Sequence, residues 1–303
     1  MAKKTGKPTE SQTNKGRSLW LDVLLVLIMI GGMGLILYPS FADYWNDLHQ
    51  SRAIASYEKQ VSTLDAATYE RMWKEAQAYN TKLSGQYTNL HTLTDEEEEE
   101  YNAVLDVTGG GIMGYIEIPK INVSLPVYHG TDDAVLQIAV GHIAGSSLPV
   151  GGRSTHCVVS GHRGLPSARL FTDLDQLEEG DIFLLQVLDQ TLTYEVDQIL
   201  TVLPEEIDAL AIEEGEDYCT LVTCTPYGVN THRLFVRGHR VDNQIDSIRI
   251  TADAVQLSPI TVSLPTGIMV VTLYIGILYL IGRHAHEKRR RKLENQGQPR
   301  RKK

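Results

Sequence analysis

Two long apolar runs stand out from the otherwise mixed pattern of the chain. Leu19 to Tyr38 runs for 20 residues with Asp22 as its one charge, and a helix of that length crosses the hydrocarbon of a bilayer. Leu264 to Gly282 gives a second run of 19 residues without a charge. After the first run, apolar positions recur at helical spacing: Ala53, Tyr57, Val61 and Leu64, then Met72, Ala76, Tyr79 and Leu83. No glycine or proline intervenes between Phe41 and Ser84, so residues 43–105 are expected to be helical. Thr94 followed by six acids, Asp95 to Glu100, predicts a further helix start, because acids suit the positive end of a helix. Those acids read as a solvated face; a calcium loop would need spaced ligands and a glycine turn.

From Gly109-Gly110-Gly111 onward the runs shorten and turn signals multiply. Met113–Ile118, Val123–Tyr128, His156–Ser160, Ile182–Val187, Thr191–Ile199, Cys219–Thr223, Leu234–Val236 and a final Ile248–Thr251 read as strands. In one of them Leu192, Tyr194 and Val196 alternate with Thr193, Glu195 and Asp197, the period of a half-buried strand. Gly141–Arg153 and Pro204–Asp217 are expected to be irregular. About eight short strands with regular turns predict a mainly β protein, a barrel or a sandwich, with N-terminal helices and a membrane helix at each end.

Charge orients this plan. Residues 1–18 hold five Lys or Arg and residues 283–303 hold ten, whereas residues 19–282 set 13 Lys and Arg against 35 Asp and Glu. Positive flanks stay in the cytoplasm, so both tails are placed inside and the acidic middle outside. A cleaved signal peptide is the rival for the first run, with Ser40-Phe41-Ala42 as a weak cleavage site. Its length favours an uncleaved anchor. The basic tail beside a span suits anionic lipid; nucleic acid is not an expected partner. Three cysteines make an odd count, so this is no disulfide-stapled scaffold.

The candidate chemistry lies in Cys219 to Arg240, CTLVTCTPYGVNTHRLFVRGHR. A strand ends near Cys224, Pro226 interrupts the ladder, and Arg233 leads into the next strand nine residues after the cysteine. A buried free cysteine is the plain alternative. A nucleophilic thiol needs a partner that takes or supplies its proton and a group that steadies an oxyanion. His162, in Ser160-Gly161-His162-Arg163-Gly164, also follows a strand. If the two strands are parallel neighbours, His162 and Cys224 come side by side, as do Cys157 and Cys219, each five residues earlier. Taken singly, His162 and Arg233 could equally be surface residues.

The string Thr-Leu-Val-Thr-Cys with an arginine at this distance resembles the sortase signature. Gly114-Tyr115-Ile116-Glu117-Ile118-Pro119-Lys120, Leu125-Pro126-Val127-Tyr128-His129-Gly130-Thr131, Gly141-His142, Ser147-Leu148-Pro149-Val150-Gly151-Gly152 and Ser160-Gly161-His162-Arg163-Gly164 with Leu170-Phe171 resemble class C sortases, the pilin polymerases. The resemblance implies a closed eight-stranded sortase-type barrel and a second, C-terminal span. It implies Cys224 as nucleophile, His162 as general acid and Arg233 as the residue that steadies the oxyanion and positions substrate. Thr223 and Thr225 would orient the site or bind substrate, while His142 is left structural. The implied reaction cleaves a Leu-Pro-X-Thr-Gly-like sorting signal through a thioester and passes the acyl group to a lysine of the next pilin, with no cofactor and no metal. Anchoring of surface proteins to peptidoglycan, and a catalytically idle adhesion or scaffold module, are the alternatives. On this plan residues 1–18 are a cytoplasmic tail, 19–38 the anchor and 43–108 a helical lead-in with a candidate lid. Residues 109–252 are the catalytic barrel, 253–263 a linker, 264–282 the second span and 283–303 a cytoplasmic tail. Many relatives carry an Asp-Pro-aromatic lid, whereas Asn89-Leu90-His91-Thr92-Leu93-Thr94 has no proline. The acids behind it are candidates to pair with Arg163 or Arg233.

Overall fold

The computed structural model describes residues 14–86, 90, 92–243 and, in the second apolar run, 267, 268, 271, 272, 274, 275 and 282. It divides into two units, Ala42–Val255 and Met1–Phe41 with Gln256–Lys303. α1 (Asn14–Val61), which starts in the second of these and ends in the first, is long and apolar enough to cross a membrane, the one such helix among the described residues.

Three helices precede the strands. α1 ends at Val61 and α2 spans Ala66–Gln86, so the expected helical region is broken. Ser62 and Thr63 turn their hydroxyls back on the carbonyls of Lys59 and Gln60, and the Asp65 carboxylate accepts the Thr68 N–H at 2.8 Å, capping the next helix. α3, Asp95–Ala103, starts on a capping box in which Thr94 and Glu97 satisfy each other's backbone N–H groups. Met72, Ala76, Tyr79 and Leu83 all face the core. Single polar groups fix the helices to the strands. The buried Tyr57 hydroxyl donates to Met113 O at 2.9 Å and accepts from Leu188 N at 2.7 Å. Asn80 meets both backbone groups of Leu148, at 3.0 and 2.7 Å.

The strands are β1 Ile112–Ile118, β2 Val123–His129, β3 Val140–His142, β4 Thr155–Ser160, β5 Ile182–Val187, β6 Gln190–Val202, β7 Asp217–Thr225 and β8 His232–Val241. They close a barrel in the order β1-β2-β3-β4-β7-β8-β6-β5. A barrel, not a sandwich, is therefore the arrangement, and closure leaves no open sheet edge. The eighth strand is not the expected Ile248–Thr251, which lies outside the described residues. It is Val140–His142, at the start of the stretch read as irregular. Its three residues pair with β2 in parallel and with β4 antiparallel.

Alternation fills the barrel with Leu192, Tyr194 and Val196 from β6, Cys219 and Leu221 from β7, and Leu234 and Val236 from β8. β6 changes parity at a bulge between Val196 and Gln198. Beyond the bulge Leu200 and Val202 turn outward, where they join Val158, Val222 and Phe235 in a second apolar cluster on the outer face. That cluster is the floor on which the site is built.

Candidate active site

β4 and β7 are parallel neighbours in register, with Cys157 opposite Cys219 and Ser160 opposite Val222. Carried two residues on, this register sets His162 level with Cys224. Cys157 and Cys219 both point into the barrel core, and all three cysteines are free thiols. Burial pushes the Cys219 thiol well above its usual range. β7 also pairs antiparallel with β8, with Cys224 directly opposite Arg233, and Arg233 in turn faces Val202 of β6. Val222, Cys224, Phe235 and Arg233 share the outward face, because their neighbours Leu221 and Leu234 belong to the core. Cys224 is half-buried, open enough for a substrate to reach.

The loop that carries His162 is clasped on both sides. Gly161 N donates to Val222 O at 3.0 Å, and the buried Thr223 hydroxyl donates to Gly161 O at 2.7 Å. Phe171 N closes the loop onto His162 O at 3.1 Å. Only glycine fits at 161, since a Cβ there would come within 2.7 Å of the Phe171 ring and 2.9 Å of Val140. Arg163, next along, is turned to Thr225 and Asp175. It therefore does not pair with the acids of α3, and among the described residues Arg233 makes no ion pair. The Arg233 guanidinium instead donates to the carbonyls of His232, at 3.1 Å, and Asn230, at 3.4 Å.

Both threonines flanking Cys224 are already engaged within the protein: Thr223 with Gly161 O, and Thr225 accepting from Arg163. Their hydroxyls tie β7 to the His162 loop. His142 is fully buried, with Nδ1 2.9 Å from the Tyr101 hydroxyl and Nε2 2.8 Å from Ser147 O, a structural placement.

Below the thiol, Val158, Val222 and Phe235 form an apolar floor with Leu210 as part of its wall. The wall segment between β6 and β7 is braced from the strands. Arg237 forks onto Asp197 with both contacts at 3.0 Å, reaches Glu213 at 3.3 Å, and lies 4.1 Å over the Tyr218 ring. His156 Nδ1 donates to Ala211 O at 2.8 Å, and its Nε2 accepts from the Thr220 hydroxyl at 2.7 Å. Burial lowers the His156 pKa, so the neutral ring with this donor and acceptor pattern is the stable form. Leu90 packs on the same apolar cluster, whereas Leu93 packs on the main core; Asn89 and His91 lie outside the described residues. Sequence reasoning offered Arg163 only as a partner for the acids of α3 and gave no role to Asp175. The one signal was the arginine's place beside His162.

A closed barrel of this order, with a thiol, an imidazole-bearing loop and a guanidinium at one rim, defines a cysteine transpeptidase. The Sortase domain family profile matches residues 116–241. Sortase D of Bacillus subtilis is 32% identical over 153 residues, covering 50% of this chain and 74% of that protein. Among solved structures, sortase C1 from Streptococcus agalactiae shares 53% identity at a TM-score of 0.62, covering 63% of this chain and 99% of that one. Sortase C from Streptococcus pneumoniae shares 44% identity at a TM-score of 0.57, covering 63% and 97%. The chain belongs to the sortase family, with class C sortases among its structural neighbours.

Proposed function

We propose that this sortase joins pilin subunits at the outer face of a membrane. Cys224 is the nucleophile. Its sulfur attacks the threonine carbonyl of a Leu-Pro-X-Thr-Gly-like sorting signal, and Arg233 stabilises the oxyanion. The Thr–Gly bond breaks as protonated His162 gives its proton to the departing glycine amine, leaving a thioester on Cys224. A lysine amine of a second pilin then attacks the thioester. The thiolate leaves, the amine's proton returns to His162, and an isopeptide bond remains. The observation that carries this reading is the register that sets Cys224 opposite Arg233 at the end of the strand that lies parallel beside the one leading to His162. The apolar floor of Val222 and Phe235 suits the leucine of the signal.

The reading includes two spans, with α1 and the run 264–282 both crossing and both basic tails inside. The described residues of the second run are helical, and a Cβ on Gly267 would lie 3.9 Å from Met33 Sδ. Both features support a second helix against the first. The pilin reading also draws on the S. pneumoniae relative, whose structure is described as bearing on pilin substrate specificity. The test incubates the full chain in detergent with sorting-signal peptides and a lysine-bearing pilin domain, and weighs the products. An isopeptide-linked product dependent on Cys224 supports the proposal. Peptide cleavage followed by transfer to a peptidoglycan-type amine, with none to the pilin lysine, overturns it in favour of wall anchoring. Absence of any Cys224 acyl adduct overturns both readings.

A further inference from the structure

Arg163 is the residue after His162, yet its guanidinium does not face the reacting groups. Its side chain is 8% exposed and all three of its nitrogens are engaged. Nε donates to Thr172 O at 3.1 Å, Nη1 donates to the Thr225 hydroxyl at 3.1 Å, and Nη2 forms an ion pair with Asp175. The Tyr227 ring lies 5.9 Å from its carbon centre. These four partners stand in two pairs that matter for the site. Thr172 and Asp175 close the far end of the loop that begins at His162. Thr225 and Tyr227 flank the exit of β7, immediately after Cys224.

We infer that Arg163 is a positioning residue of the transfer reaction, a brace that holds the His162 loop to the Cys224 end of β7 so that imidazole and thiol stay level. The inference rests on the assignment of His162 and Cys224 above. On the near side, Gly161 is already held by Val222 O and by the Thr223 hydroxyl. Beyond Gly161, the hydrogen bond from Arg163 to Thr225 is the one that links this loop to β7 among the described residues. Without it the loop pivots about Gly161, and the imidazole rides on the moving side.

Only arginine makes this brace. A planar fork can donate to a carbonyl, a hydroxyl and a carboxylate in three directions at once, whereas a lysine ammonium is a compact point donor on a flexible stem. The partial burial of the guanidinium raises the stakes, because a carboxylate and a carbonyl left facing an unfilled fork lose their donors together. A displacement of about 1 Å between reacting groups costs on the order of 10²-fold in rate, so a loosened loop should show in kcat before it shows in substrate binding.

The test compares Arg163→Lys, Thr225→Val and their double variant in the full chain, with Cys224→Ala and His162→Ala in the same series. Readouts are kcat and KM for peptide transfer, the pH dependence of Cys224 alkylation, and the melting temperature. Arg163→Lys is expected to lower kcat by about 10- to 100-fold with KM within about threefold. It should also move the pH profile of alkylation, because the imidazole that supports the thiolate is no longer held beside it. Thr225→Val should lower kcat less, and the double variant should be no worse than Arg163→Lys alone, the signature of one shared link. Arg163→Met replaces a failed lysine variant if that protein does not fold, and the same profile is expected from it. Unchanged kcat and pH profile in folded Arg163→Lys, or fully additive losses with Thr225→Val, overturn the inference. Full activity in His162→Ala would instead overturn the catalytic assignment on which it rests.

Discussion

Thr223→Val tests the joint between the two site strands with almost no change of shape. Thr223 is 2% exposed, and its hydroxyl donates at 2.7 Å to Gly161 O, for which no other partner is found among the described residues. Valine keeps the branched side chain and replaces the hydroxyl with a methyl, so the cost falls on the carbonyl left behind. An acceptor buried without its donor costs about 1–3 kcal/mol. In a unit of roughly 200 residues each kcal/mol moves the melting temperature by about 2–4 °C, so a fall of about 2–12 °C is expected. Methyl burial alone predicts the opposite sign, because valine puts more apolar surface into the barrel than threonine does. The direction of the shift therefore decides between the two effects. Gly161 precedes His162, so kcat for peptide transfer should also fall, by about tenfold, as the loop loosens. Thr223→Ser keeps the hydroxyl and should retain most of the activity. Differential scanning calorimetry and a peptide-transfer assay read both quantities. A valine variant that melts at or above the parent temperature with unchanged kcat would refute the reasoning.

Four further outcomes are expected. Cys224→Ala should abolish the acyl-enzyme adduct seen by mass while the melting curve stays that of the parent. His162→Ala and Arg233→Ala should each lower turnover by about 10²–10⁴-fold, the scale of a lost acid or oxyanion donor; full turnover in Arg233→Ala would remove that residue from the site. Burial lowers the pKa of His129 and His156 below 6.5, so the folded chain binds fewer protons than the unfolded one in that window. The stability they supply is present above 6.5 and is lost as pH falls through their folded values, by up to about 1.4 kcal/mol per unit for each ring. Melting temperature followed from neutral to mildly acidic pH should drop, and less steeply in His156→Gln; parallel curves would exclude that ring as a source. Finally, Leu90 packs on Val158, Val222, Leu210 and Phe235, so Leu90→Asp should lower the KM of an apolar sorting peptide several-fold, and a raised or unchanged KM would show that peptide and leucine do not compete for that floor.

Much of this architecture is legible along the chain because the physics is local. Alternation in β6 and the helical stripe of Met72, Ala76, Tyr79 and Leu83 report burial directly. What escapes is set by distant partners. Val140-Gly141-His142 is too short to show alternation and becomes a strand only because β2 and β4 supply its ladder. The break after Val61 has no glycine or proline to announce it. Its sign was Asp65 three residues ahead of Thr68, a cap written in ordinary helix-compatible residues. In the site, Cys224 and Arg233 are joined by a hairpin that closes at Thr225 and His232, so their pairing follows from a short spacing. His162 depends on parallel pairing between β4 and β7, which spacing suggests but does not determine. The Arg163 brace is legible only in the arginine's place beside His162, since Asp175 and Thr225 stand 12 and 62 residues away.

The pleat also decides which cysteine faces outward. Residues on a strand alternate between faces, so positions an odd number apart are turned to opposite sides. Cys219 and Cys224 are five apart on β7: Cys219, beside Cys157, is fully buried in the barrel, and Cys224 faces out with Val222. β8 obeys it too, with Leu234 and Val236 inside and Phe235 on the outer floor, which sends Arg233 to the thiol's face. β6 would break the rule, because Leu192, Tyr194 and Val196 point inward. The bulge at Asp197 resets its parity, so that Leu200 and Val202 can complete the outer floor. A one-residue slip of β7 would turn Cys224 into the barrel and Cys219 outward. The paired strands on both sides, and the Thr223 hydroxyl that locks the register to Gly161, therefore decide which thiol faces outward as well as holding the fold.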